Sequence, residues 1–195
     1  MTPIANIAVQ YKAYKREPNF LILDPTAGPV PALFSGVFAS YGLRCESTDL
    51  FYNHGDGLRN VFDYEKDGLN DMGIDMIAMN GPWGGGQFMA CVEKVIELGC
   101  PTALVGPAGF KYTVSGATIL SEHRPMFQML VPPPKFVHNG EKKQVGEVDI
   151  YYFNFPDGFD GVVPDKHEYV FYKKLGDVGD GSADGAGLGD MDTGL

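Results

Sequence analysis

Cysteine is scarce in this 195-residue chain. Cys45, Cys91 and Cys100 are odd in number, lack CxxC spacing and sit in apolar stretches, which excludes a disulfide framework and suits buried thiols in a reducing, intracellular setting. Positive charge is also short: 15 Lys and Arg stand against 25 Asp and Glu, a formal net charge of −10. A protein that grips nucleic acid through bulk electrostatics needs the opposite balance. Long apolar runs are missing as well. Nowhere do ~18 apolar residues follow one another, and MTPIANIAVQYKAYK has no apolar segment behind a basic start, so neither a membrane span nor a secretory leader is expected. His54, His123, His138 and His167 have no metal-ligand spacing, so no metal is expected.

What is present is enough for one substantial core: 44% of residues are hydrophobic and 12% aromatic. The last stretch, GDVGDGSADGAGLGDMDTGL from Gly176, cannot contribute to it. With seven Gly, five Asp and no aromatic or basic residue, it reads as a disordered acidic tail over residues 176–195. Removing its five carboxylates leaves residues 1–175 with fifteen basic and twenty acidic side chains, a net of −5. Those residues read as a single α/β domain.

Within that domain, Phe20 to Leu23 is a buried strand ended by Asp24-Pro25. Val30, Leu33, Phe34, Val37, Phe38 and Tyr41 then follow helical spacing, with Pro31 suited to a first turn and Gly42 to the C′ position. Leu43 to Asp49 reads as a second strand ending in acid, and Ile74 to Met79 as a third ending at Asn80, with a polar connection between them. Gln87 to Leu98 is a helix stopped by Gly99 and Pro101, and Thr102 to Val105 is another strand. Such alternation of uniformly apolar strands with helices calls for a mostly parallel sheet covered on both faces. Toward the end, Glu147 to Phe155 reads as an aromatic strand paired with Lys135 to His138 across NGEKKQ.

In open α/β sheets ligands sit beyond the carboxyl ends of the strands, so the residues just after each strand carry the chemistry. The first such turn, Asp24-Pro25-Thr26-Ala27-Gly28, suits a nucleoside. It is no Walker loop, because no Gly-Lys-Ser/Thr follows, and no GxGxxG, because Pro29 and Pro31 follow Gly28. The second turn carries Asp49, with Glu46 as the alternative, a carboxylate able to accept both hydrogens of a ribose diol. The third is Asn80-Gly81-Pro82-Trp83.

This series, DPxxG, an acidic strand end, then NGPW, resembles class I S-adenosylmethionine-dependent methyltransferases that modify amino groups, above all small phage-type adenine-specific DNA methyltransferases, whose motif is Asn-Pro-Pro-aromatic. The similarity spans roughly residues 18 to 156. It implies a Rossmann-like fold: a mostly parallel seven-stranded sheet with an antiparallel C-terminal strand and helices on both faces. It implies S-adenosylmethionine as cofactor, contacted by Asp24, Pro25, Ala27, Gly28, Asp49, Leu50 and Asp63. It also implies adenine in DNA as substrate, with catalytic contacts on Asn80, Gly81, Pro82 and Trp83, and a cytoplasmic location, the host cytoplasm for a viral protein. Asn80 and Gly81 would accept the N–H hydrogens of the adenine amino group, and Trp83 would stack on a base turned out of the duplex. Phe110 and Tyr112, after the strand ending at Val105, are candidates for the substrate pocket, and Lys111, Arg124, Lys135, Lys142 and Lys143 are candidates to line DNA, although scattered bases on a globular surface are usually just solvated. Gly81 stands where the family has proline. That departure keeps open an inactive binding or assembly module, while related motifs that resemble those of enzymes modifying RNA bases or glutamine side chains, together with the acidic charge, keep open an RNA or protein acceptor.

Overall fold

The computed structural model describes residues 2–28, 33–53, 58–84, 86–130, 135–138, 141–144, 147–161 and 171–172. Helices and strands alternate as far as β5, and strands alone follow: α1 (Thr2–Lys15), β1 (Leu21–Asp24), α2 (Leu33–Ser40), β2 (Arg44–Ser47), α3 (Lys66–Asp71), β3 (Met76–Met79), α4 (Gln87–Leu98), β4 (Thr102–Pro107), α5 (Val114–His123), β5 (Met126–Leu130), β6 (Lys135–His138), β7 (Glu141–Gln144), β8 (Val148–Phe153) and β9 (Phe171–Tyr172). The proposed acidic tail, residues 176–195, lies outside the described residues.

One sheet runs in the order β2-β1-β3-β4-β8-β5-β9. β2, β1, β3 and β4 are mutually parallel. β8 is antiparallel to both of its neighbours, β4 and β5, so β5 runs with the parallel set and β9 against it. The sheet is therefore mixed and mostly parallel, with two reversed strands where one was expected.

Alternation within the strands sorts the core into two layers. Leu21, Leu23, Ile77, Met79, Leu104, Tyr151 and Phe153 face one side, where α3, α4 and α5 cover them through Leu69, Phe88, Val92, Val95 and Leu120. Ile22, Met76, Ala78, Ala103, Ile150 and Tyr152 face the other, under α1 and α2 through Ile4, Ala8, Tyr11, Phe34 and Phe38. Each buried phenylalanine contributes roughly 1.5–3 kcal/mol relative to an exposed one. Helices thus cover both faces.

Local signals act where the sequence places them. Gly42 adopts φ +67°, its N–H bonds the Ala39 carbonyl at 3.0 Å and the Leu43 N–H bonds Phe38 at 3.0 Å, the paired bonds of a Schellman ending. α4 has the expected bounds and ends at Gly99, φ +65°. Val30 and Pro31 lie outside the described residues, and Tyr41 at the end of the predicted stripe is 39% exposed.

The expected pairing of Glu147–Phe155 with Lys135–His138 is corrected. β6 pairs with β7 in a separate two-stranded sheet, and part of the stretch read as a turn is strand β7. β8 instead lies between β4 and β5, because all six of its residues are buried and only a central position covers both faces and both edges. α1, α5 and β5 have no counterpart in the sequence reading, and the connection between β2 and β3 contains a 3₁₀ turn at Val61–Asp63 and α3.

Candidate functional site

The order β2-β1-β3 brings the three motif turns side by side at the carboxyl end of the sheet, with the first turn in the middle. Hydrogen bonds stitch them together. Toward the second turn, the Ala27 N–H donates to the Thr48 carbonyl at 3.1 Å and the Gly28 N–H to Asp49 Oδ2 at 3.0 Å. Toward the third, the Asn80 N–H donates to Thr26 Oγ1 at 3.1 Å. Gly28 makes its bend at φ +72°, a conformation that side chains with a Cβ rarely adopt.

Asp24 is 2% exposed at the centre of this arrangement. Its Oδ1 accepts the Thr26 N–H at 3.1 Å and the Thr26 hydroxyl at 3.4 Å. Burial pushes its carboxyl up to about 7, against the lowering effect of those two bonds. A cation beside it would draw the carboxyl back toward its ionised form. Asp49 is more committed: Oδ2 holds Gly28, and Oδ1 accepts the N–H of Phe51 at 2.8 Å and of Tyr52 at 3.3 Å. A carboxylate offers about four acceptor positions, so one remains for a hydroxyl while the others hold the first and second turns together. Leu50, next to it, is 48% exposed. Glu46, the alternative acid, belongs to β2 itself, opposite Leu23, and precedes the turn.

In the third turn, the side-chain oxygen Oδ1 of Asn80 is buried and accepts no hydrogen bond from the described residues. An acceptor left in that state costs roughly 1–3 kcal/mol, an expense that a ligand's N–H donor would remove. Gly81 is buried, and a Cβ there would come within 3.3 Å of both Cys91 Sγ and Met79 Cε. The volume that the family's proline would need is thus already crowded by this chain's own side chains. Pro82 is exposed. Trp83 is half-buried and packs against both core layers at the sheet's end.

Asp63 stands apart. Its carboxylate caps its own 3₁₀ turn, accepting the Asn60 N–H at 2.7 Å, and among the described residues no hydrogen bond ties it to the three turns. Its neighbour Tyr64 does reach the second turn, with its hydroxyl 3.0 Å from Thr48 Oγ1.

Three of the candidates named for the substrate side have other places in the structure. Phe110 is 7% exposed and packs edge-on to Phe88 and Tyr151, so it is core. The Lys111 ammonium is 2.9 Å from Asp149 Oδ2, and Asp149 is fully buried. Leaving that carboxylate unpaired would cost far more than a surface phosphate contact returns, so Lys111 is structural. Arg124 caps α5 and precedes β5, which places it at the amino end of the parallel strands, opposite the motif turns. Tyr112 is 78% exposed just beyond β4. Lys135, Lys142 and Lys143 belong to the β6–β7 hairpin, which links the carboxyl end of β5 to the start of β8.

Sequence reasoning passed over Thr26 and Thr48 as site residues. Thr26 joins the Asp24 carboxylate to Asn80, and Thr48 joins the first turn to Tyr64. Only their place between two acidic strand ends hinted at it. Among the described residues no group of three or more His, Cys, Asp or Glu could hold a metal ion, and no helix is long and apolar enough to cross a membrane.

No family model matches the chain, and no curated protein does. Among solved structures it is similar to a modification subunit of a putative type I restriction enzyme from Vibrio vulnificus YJ016, at 16% identity over 80% of this chain and 45% of that one, with a TM-score of 0.44. It is also similar to the S. pombe Dnmt2 methyltransferase, at 10% identity over 72% of this chain and 51% of that one, with a TM-score of 0.40. The chain spans about half the length of each.

Proposed function

We propose that this chain binds S-adenosylmethionine across its three motif turns and directs methyl transfer to the exocyclic amino group of adenine in DNA. The observation that carries the reading is Asn80: a buried side-chain oxygen with no donor among the described residues, at the end of β3 and joined through Thr26 to the buried Asp24. The residues fit such a cofactor. Asp24 supplies a buried carboxylate for a cationic group, Gly28 lets the main chain turn close to the ligand, and Asp49 retains an acceptor position for a ribose hydroxyl. Pro25, Ala27 and Leu50 complete the wall, with Asp63 beyond it.

When bound, the cofactor supplies a sulfonium-activated methyl group. The protein's part is alignment. Asn80 Oδ1 and the Gly81 carbonyl accept the two amino hydrogens of adenine, which frees the nitrogen lone pair from the ring, and Pro82 and Trp83 bound the base. Calorimetry with the cofactor and its demethylated product, alongside a methylation assay, tests this. Asn80→Ala is expected to bind both with little change and to lose transfer by roughly two to three orders of magnitude, the effect of removing one preorganised acceptor. Absence of cofactor binding by the wild type would sink the reading.

A second reading has specific support. The net charge of −10 disfavours DNA, and Gly81 with its crowded surroundings departs from the family's rigid proline. An RNA or protein acceptor is then the alternative, or a module that binds without turnover. Label transferred to RNA or protein alone, or cofactor affinity without transfer to any of the three, would decide for it.

A further inference from the structure

We propose that two copies of this chain associate edge to edge through β2, antiparallel, about a two-fold axis at Cys45. β2 is the first strand of the sheet, and among the described residues its outer edge is met only beyond its end, where Leu58 bridges Asp49 and the Arg59 N–H donates to the Asp49 carbonyl at 3.1 Å, leaving Arg44–Ser47 open. The Thr48 N–H donates to the Asp24 carbonyl, which sets the phase of the parallel ladder. Even-numbered residues of β2 turn their backbone groups toward β1, and Cys45 turns its N–H and C=O outward. A hollow of ≈ 510 Å³ lies along this edge, lined by the small residues Ser35, Gly36 and Ala39 of α2 and by Arg44, Cys45 and Glu46. Its lining includes no residue of the three motif turns.

Charge selects both the occupant and the register. With the axis at Cys45, the two Cys45 residues exchange N–H···O=C bonds, and Arg44 of each copy stands directly opposite Glu46 of the other, in the closely spaced pair of an antiparallel ladder. Arg44 is exposed and Glu46 half-buried. An axis at Glu46 would set two carboxylates against each other, and an axis between Cys45 and Glu46 would set Arg44 against Ser47. Edges guarded against pairing carry charge that repels a copy of itself, whereas this one is self-complementary.

Sedimentation equilibrium over a rising concentration series tests the proposal. The wild type is expected to approach twice the chain mass. Arg44→Glu and Glu46→Arg each place like charges opposite one another at two symmetric positions, and each should weaken association by about tenfold or more. The double variant R44E/E46R restores opposite charges and should recover wild-type association. Hydrogen exchange gives a readout that needs no variant: protection of the Cys45 amide should rise with protein concentration. A wild type that stays monomeric throughout, a folded double variant as weak as the singles, or Cys45 protection independent of concentration would each overturn the proposal. None of these outcomes depends on whether the chain binds a cofactor.

Discussion

At the scale of single residues, Asp24 concentrates the tension in this site. Two hydrogen bonds to Thr26 favour its ionised form, yet burial dominates and raises its carboxyl from the ordinary 3.8 to about 7. Below about pH 4 the group is neutral in both the folded and unfolded chains and carries no penalty. Between about pH 4 and 7 the unfolded chain gives up the proton while the folded one keeps it, so this residue's contribution to stability falls as pH rises, and it is flat above 7. Urea unfolding of Asp24→Asn should therefore show a variant that gains on the wild type across that window and then holds a constant margin. A cationic ligand reverses the preference. Its binding at about pH 6 should release a proton, which calorimetry in buffers of different ionisation heat would register, and proton uptake would contradict the placing of positive charge beside Asp24.

At the scale of elements, the loop after β4 is held by a buried ion pair. Ala108 to Tyr112 forms a 3₁₀ turn whose Lys111 reaches Asp149 on β8, while the Tyr151 hydroxyl donates to the Pro107 carbonyl at 3.1 Å. Lys111→Met removes the counterion from a carboxylate that is 0% exposed, and should destabilise the fold by about 3–5 kcal/mol in denaturant unfolding. Adding Asp149→Leu should recover most of that loss, because an apolar pair avoids the desolvation of both charges. A single variant as stable as the wild type would show that the carboxyl is held neutral without lysine. The Phe88 ring of α4 reinforces the same corner. Its tip lies over Gly106, where a Cβ would be 2.0 Å from Cζ, so any side chain at 106 would displace the ring.

At the scale of the whole molecule, charge is unevenly divided, with five of the 25 acidic side chains in residues 176–195 and a net of −5 on the rest. Deleting that tail should leave the unfolding midpoint unchanged and strengthen DNA retention at low salt, as read by a binding titration at two salt concentrations. A lowered midpoint would mean that the tail packs on the body. Much of the architecture was legible without the structure. The apolar runs at Phe20–Leu23 and Ile74–Met79, the helical spacing of Gln87–Leu98 and the glycines at 42 and 99 determined β1, β3, α4 and two helix ends, because strand burial, helical periodicity and positive-φ stops are local properties. The DPTAG, Asp49 and Asn80 positions were likewise visible as strand ends. Only the tertiary structure decided that β8 threads between β4 and β5, that Lys111 belongs to the core, that Arg124 lies at the far end of the sheet, and that Thr26 binds two of the motifs together. Partner choice among strands and ions depends on which surfaces are buried on both sides at once, and that is fixed by contacts between residues distant in the chain.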